Sequence, residues 1–158
     1  MSIIDELITD RTYEDGLRAD YLESKRFQDM TPEEQAEYLS PLRGRYNASD
    51  LNRVQAALEY VSNRLQEEGY ILSPYPYWNI TVQAWPFPDI VQKYLDVLKE
   101  MRSCFSMPAS TPAVPRSFEN MSYTTANDIE KILYDVDTLL TGAEQSRFCS
   151  GDVYSGEV

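Results

Sequence analysis

Histidine is absent from this chain, which removes the commonest general base and the commonest metal ligand. Cysteine is nearly absent. Cys104 and Cys149 stand far apart with no second pair to complete a zinc site, and both read as buried thiols of a protein made in a reducing compartment. Neither a glycine-rich phosphate loop nor a paired-cysteine motif occurs. Long hydrophobic runs are missing too. Nothing approaches the ~18 apolar residues of a membrane span, and Met1-Ser2-Ile3-Ile4-Asp5-Glu6 lacks the basic start and hydrophobic centre of a secretory signal. The expectation is a cytoplasmically synthesised protein without cofactor, metal or membrane contact, and not an enzyme.

Positive charge is the last shortage. Against 26 Asp and Glu there are 14 Lys and Arg, a net charge of -12. A phosphate backbone or an anionic membrane is repelled at long range, which disfavours direct nucleic-acid binding. The excess serves solubility. The sharper alternative is imitation of nucleic acid, with carboxylates in two phosphate-like rows that block a basic enzyme groove.

What remains is a chain of 158 residues, 42% hydrophobic and 25% charged, long enough for one domain with a real core. Thr12 with Asp15 marks a helix start, after which Tyr13, Leu17 and Tyr21 recur on one face. Thr31-Pro32-Glu33-Glu34 is a clearer one: a cap, a first-turn proline and a capping-box glutamate, with the helix stopping near Ser40-Pro41. Glu33, Glu34 and Glu37 sit where a helix dipole favours anions, which outweighs an acid/base role. Asn47 or Ser49 caps a helix through Glu68 with the stripe Leu51, Val54, Leu58, Val61, Leu65, and Gly69 supplies its left-handed stop. Helical period resumes at Asp89 and runs to Phe105. After a proline-containing connector over Met107 to Arg116, Ile129, Ile132, Leu133, Val136, Leu139 and Leu140 mark the last helix. Asp128, Glu130, Asp135 and Asp137 read as that helix's solvated acidic face.

Between these helices, Ile71 to Pro88 holds 18 residues with no charged side chain and four prolines. Trp78, Ile80, Val82 and Ala84 alternate with polar residues, which predicts a strand. Ser73-Pro74-Tyr75-Pro76 reads as the turn to a short partner near Ile71-Leu72. Trp78 and Trp85 have opposite parity and fall on opposite faces of such a strand. Tyr75, Tyr77, Trp78, Trp85 and Phe87 are therefore candidate protein-interface residues, because Trp and Tyr give large contact area at low entropy cost. Val153 and Tyr154 join them as anchors of the Gly- and Ser-rich end.

Five stretches carry a likeness. They are Ile4-Asp5-Glu6-Leu7-Ile8-Thr9-Asp10-Arg11-Thr12, Met30-Thr31-Pro32-Glu33-Glu34, Tyr46-Asn47-Ala48-Ser49-Asp50-Leu51-Asn52-Arg53-Val54, Ala126-Asn127-Asp128-Ile129-Glu130-Lys131-Ile132-Leu133, and Phe148-Cys149-Ser150-Gly151-Asp152-Val153-Tyr154-Ser155-Gly156-Glu157. In this order they resemble a group of small proteins encoded among tail and other structural genes of Firmicutes phages and prophages. The resemblance implies a minor structural component of a tailed phage, in the tail or baseplate region of the virion. Its implied partners are other phage structural proteins and further copies of itself. No catalytic motif comes with it.

The expected fold is mainly α: four to five helices packed as a compact bundle, with one small β-hairpin. Residues 1–147 form a single helical domain with the hairpin at 70–85, and 148–158 form an extended C-terminal arm that docks on a neighbour. The expected function is a non-enzymatic structural or adaptor role in the virion. The alternative is an acidic phage inhibitor of a host nucleic-acid enzyme, an anti-CRISPR or other anti-defence protein, with a basic host nuclease as its partner.

Overall fold

Side chains that cap their own backbone decide where the first helices begin. The computed structural model describes residues 1–77, 80–81, 88–119 and 121–156, those from 148 onward as backbone only. Helix α1 spans Tyr13–Ser24, and Thr12 and Asp15 exchange side chain-to-backbone hydrogen bonds across its first turn. Helix α2, Pro32–Leu39, starts with the same box between Thr31 and Glu34. Helix α3, Ala48–Glu67, follows Asn47, whose N–H donates to Asp50 at 2.7 Å; beyond its end Gly69 takes φ 92°. Helices α4, Pro88–Ser103, and α5, Tyr123–Gly156, complete the set. The protein is mainly helical, and among the described residues no helix is long and apolar enough to cross a membrane.

The core lies between α3, α4 and α5. Val54, Leu58, Val61 and Leu65 meet Leu95, Leu98 and Met101 of α4, and Ile129, Ile132, Leu133, Val136 and Leu140 of α5. Ile4, in a short 3₁₀ turn at the N-terminus, closes one side, so the first residues are part of the body rather than a loose end. Burying each such side chain stabilises by roughly 1.5–3 kcal/mol, which makes the three stripes the dominant favourable contribution.

The hairpin expected at 70–85 is not seen, and among the described residues there is no strand. The reason is where the backbone polar groups go. Pro74 and Pro76 have no N–H to give a ladder. Ile80 donates its N–H to Asn52 Oδ1 at 3.3 Å and receives Asn52 Nδ2 on its carbonyl at 2.7 Å, so a helix side chain replaces a partner strand. Ser73 binds Glu100 by both its N–H and its hydroxyl, and the Pro76 carbonyl accepts from Tyr94 at 2.6 Å. The described parts of the segment, 71–77 and 80–81, are irregular chain held to α3 and α4 by these bonds; residues 78–79 and 82–85 of the expected hairpin lie outside the described residues.

The extended arm is also corrected. Backbone of α5 stays helical as far as Gly156. No proline follows Tyr123, and lengthening an anchored helix needs no new nucleus. One cysteine differs as well: Cys104 is only half-buried, with burial pushing its thiol pKa up, while the side chain of Cys149 lies outside the described residues.

Helices α1 and α2 meet at Glu34. Its carboxylate accepts from the Thr31 N–H, from Lys25 Nζ at 3.0 Å and from the Tyr21 hydroxyl at 2.9 Å, which together hold its pKa down to about 2. A depressed carboxylate stabilises the fold above its unfolded pKa and loses that contribution as pH falls through the folded one. Denaturation midpoints of the wild type and Glu34→Gln should therefore differ most above pH ~4.5 and converge towards pH ~2. A gap that stays constant with pH would show that the charge of Glu34 contributes nothing.

Candidate protein interaction surface

The polar residues most suited to chemistry are sealed inside. Arg11 Nη2 donates to Asp50 Oδ1 at 3.1 Å and to Glu130 Oε1 at 2.7 Å, and Arg53 Nη2 reaches the same two oxygens at 2.6 and 2.7 Å. Glu130 Oε2 accepts from Arg53 Nε and from the Ile8 N–H, while Asn127 pairs both ways with the Arg11 backbone. Arg11, Asp50 and Glu130 are all buried. Burial pushes the Asp50 carboxyl up, but the Asn47 N–H and the Arg53 guanidinium outweigh it and hold the pKa below its ordinary value. Both carboxylates are locked by two guanidiniums. Tyr46 aims a buried, unpartnered hydroxyl here, its pKa driven up by burial and by the charge of Glu130. The solvated acidic face expected on α5 is corrected accordingly: Glu130 and Asp135 are buried, the latter taken by Lys131 and by Thr111. Among the described residues no group of His, Cys, Asp and Glu is placed to hold a metal ion.

Large apolar side chains, by contrast, stand outside. On α1 the face marked by Tyr13, Leu17 and Tyr21 points to solvent, with relative exposures of 64, 47 and 43%. The buried face is the opposite one, made of Gly16, Ala19 and Leu22. Small residues explain the inversion. At Gly16 a Cβ would lie 3.0 Å from the Tyr123 ring, so α1 sits close against α5 only where side chains are minimal. The bulky positions, one helical turn apart, are left outward. Phe27 and Tyr38 extend the apolar surface beside α1, their rings 6.2 Å apart, and Leu39 is exposed at the end of α2. Cations frame the ridge: Arg18 and Lys25 lie over the Tyr21 ring at 5.3 and 4.5 Å, and Arg18 is held by Glu37. An exposed aromatic row with a charged rim is the anatomy of a protein interface.

Of the interface residues expected from the sequence, the described ones are Tyr75 and Tyr77, and they point different ways. Tyr75 turns inward, stacking edge-on against Tyr94 at 5.7 Å, and burial raises its pKa to about 12. Tyr77 is exposed, as is Ile71. Trp78, Trp85 and Phe87 lie outside the described residues, and so do the side chains of Val153 and Tyr154 on the helical backbone of α5. The shared face of Tyr13, Leu17 and Tyr21 is legible in the sequence, but its outward direction is legible only in the complementary pattern, the small residues Gly16 and Ala19 beside Leu22. Compared with protein-family models, curated proteins and solved structures, the chain matches none.

Proposed function

We propose that this protein is a non-enzymatic structural or adaptor component of a tailed-phage virion, in the tail or baseplate region, acting through protein–protein contacts. The observation that carries the reading is the outward aromatic ridge of Tyr13, Leu17 and Tyr21 beside ionisable groups that are locked inside. Aromatic side chains contribute the most binding energy per residue at interfaces, and here they are displayed. The phage assignment rests on the resemblance alone. Three of the resembling stretches supply Arg11, then Asp50 and Arg53, then Asn127 and Glu130, and so converge on one buried node.

The alternative, an acidic inhibitor of a basic nuclease, requires rows of unpaired carboxylates. Pairing of Asp10 and Asp15 with Arg43, of Asp20 and Glu23 with Arg45, and of Glu37 with Arg18 weighs against it. The test is the double substitution Tyr13→Ser with Leu17→Ser. Both positions are exposed, so folding stability should stay within about 1 kcal/mol, while incorporation into particles should fall at least tenfold. Unchanged incorporation would remove the ridge from the interface.

A further inference from the structure

Positive charge is scarce here, and most of it is neutralised. Every Lys and Arg from Arg11 to Arg64 is ion-paired, as are Lys131 and Arg147. With 26 carboxylate side chains against 14 cations, an unpaired cation has no shortage of partners. Among the described residues, those that form no ion pair are Lys93, Lys99, Arg102 and Arg116, all on α4 or the segment after it. Three of them, Lys99, Arg102 and Arg116, line one groove of about 560 Å³ between α4 and residues 113–116.

That groove is held in shape. Arg102 donates Nε to the Pro112 carbonyl at 2.8 Å and Nη2 to the Thr111 carbonyl at 3.3 Å. Thr111 is buried, and its hydroxyl donates to Asp135 of α5 at 2.5 Å. The wall opposite α4 is therefore tied to two helices. Leu95 forms an apolar floor, and Val114 and Pro115 an apolar side. Asp96 is the one carboxylate in the lining, and the Gln92 amide takes one of its oxygens at 3.0 Å.

We infer that this groove binds a small organic phosphate, an apolar or aromatic body bearing one or two phosphate groups. Its volume falls in the range of small-molecule sites, roughly 300–1,000 Å³. The mixture of an apolar floor with three cations matches an amphiphilic anion rather than a neutral ligand. Guanidinium and ammonium groups together suit a phosphate, the first by its fixed fork and the second as a point charge. The site lies on a different part of the molecule from the aromatic ridge and does not depend on the virion reading.

Calorimetric titration of the full-length protein with ADP and phenyl phosphate, with adenosine as control, tests it. ADP should bind with submillimolar affinity, phenyl phosphate more weakly, and adenosine not at all. Raising salt from roughly 50 to 300 mM should weaken ADP binding several-fold. The double variant Lys99→Ala with Arg116→Ala alters exposed side chains only and should bind ADP at least tenfold more weakly, with an unchanged melting temperature. No heat with millimolar ADP overturns the inference. So does binding that the double variant retains, or capture of a glutamate-rich peptide where ADP fails.

Discussion

Glu130→Ala is expected to destabilise the protein by about 3–5 kcal/mol, the range found when one partner of a buried ion pair is removed. Glu130 is fully buried and is the point on which Arg11, Arg53 and the Ile8 N–H converge. Truncation leaves two guanidiniums with Asp50 as their one shared carboxylate, one backbone donor unsatisfied, and a void between the N-terminal segment and α5. Each is separately unfavourable, and none can be relieved by water without opening the node. Total stability of a domain this size is about 5–15 kcal/mol, so the loss is a large fraction of it. At roughly 2–4 °C per kcal/mol, the melting temperature should fall by about 6–20 °C. Glu130→Gln keeps the shape and should lose less. Chemical denaturation measures both; a loss under ~1 kcal/mol for the alanine variant would mean the node is solvated.

Gly44→Ala is the second large effect, and it arises from backbone rather than side chains. A Cβ at Gly44 would lie 2.1 Å from the Asp15 carbonyl oxygen, 2.4 Å from its carbon and 2.7 Å from the Gly16 nitrogen. These atoms belong to the first turns of α1, so no flexible side chain can give way. Either α1 or the 41–46 segment must move, and with it the ion pairs of Arg43 with Asp10 and Asp15. Overpacking of this kind costs about 1–3 kcal/mol and sometimes more. Gly142 is the matching control. It sits in α5, and a Cβ there meets nothing within 4 Å. Gly142→Ala should stabilise by about 0.5–1 kcal/mol through backbone entropy alone. Equal effects of the two substitutions would contradict the close contact.

How far these features were legible depends on how local their causes are. The caps at Thr12 and Thr31 and the stop at Gly69 depend on neighbouring residues, and they stand where the sequence places them. The stripe of α3, Leu51, Val54, Leu58, Val61 and Leu65, is buried throughout, because a long periodic pattern needs only some apolar partner. Arg11 and Glu130 lie 119 positions apart, and their pairing is invisible to periodicity. Glu130 therefore read as part of a wet face, since nothing in α5 itself tells that residues 8–11 cover it. Alternation at 78–84 predicts a strand, but alternation is silent about where N–H and C=O groups end, and of that range only residues 80–81 are described. Here Asn52 and Glu100 satisfy those of Ile80 and Ser73. On α1 the large residues drew the eye, but close packing against Tyr123 and Gly44 favours the small ones.

The most direct test of the account is the amount of this protein in purified virions. Particles released from a strain carrying the gene, banded and washed free of lysate, can be quantified by mass spectrometry against the major tail protein. The account predicts a constant copy number per particle, unchanged between preparations and lost in the Tyr13→Ser, Leu17→Ser variant. Absence from particles that carry every other tail protein, with the protein recovered instead on a host nuclease, would contradict it.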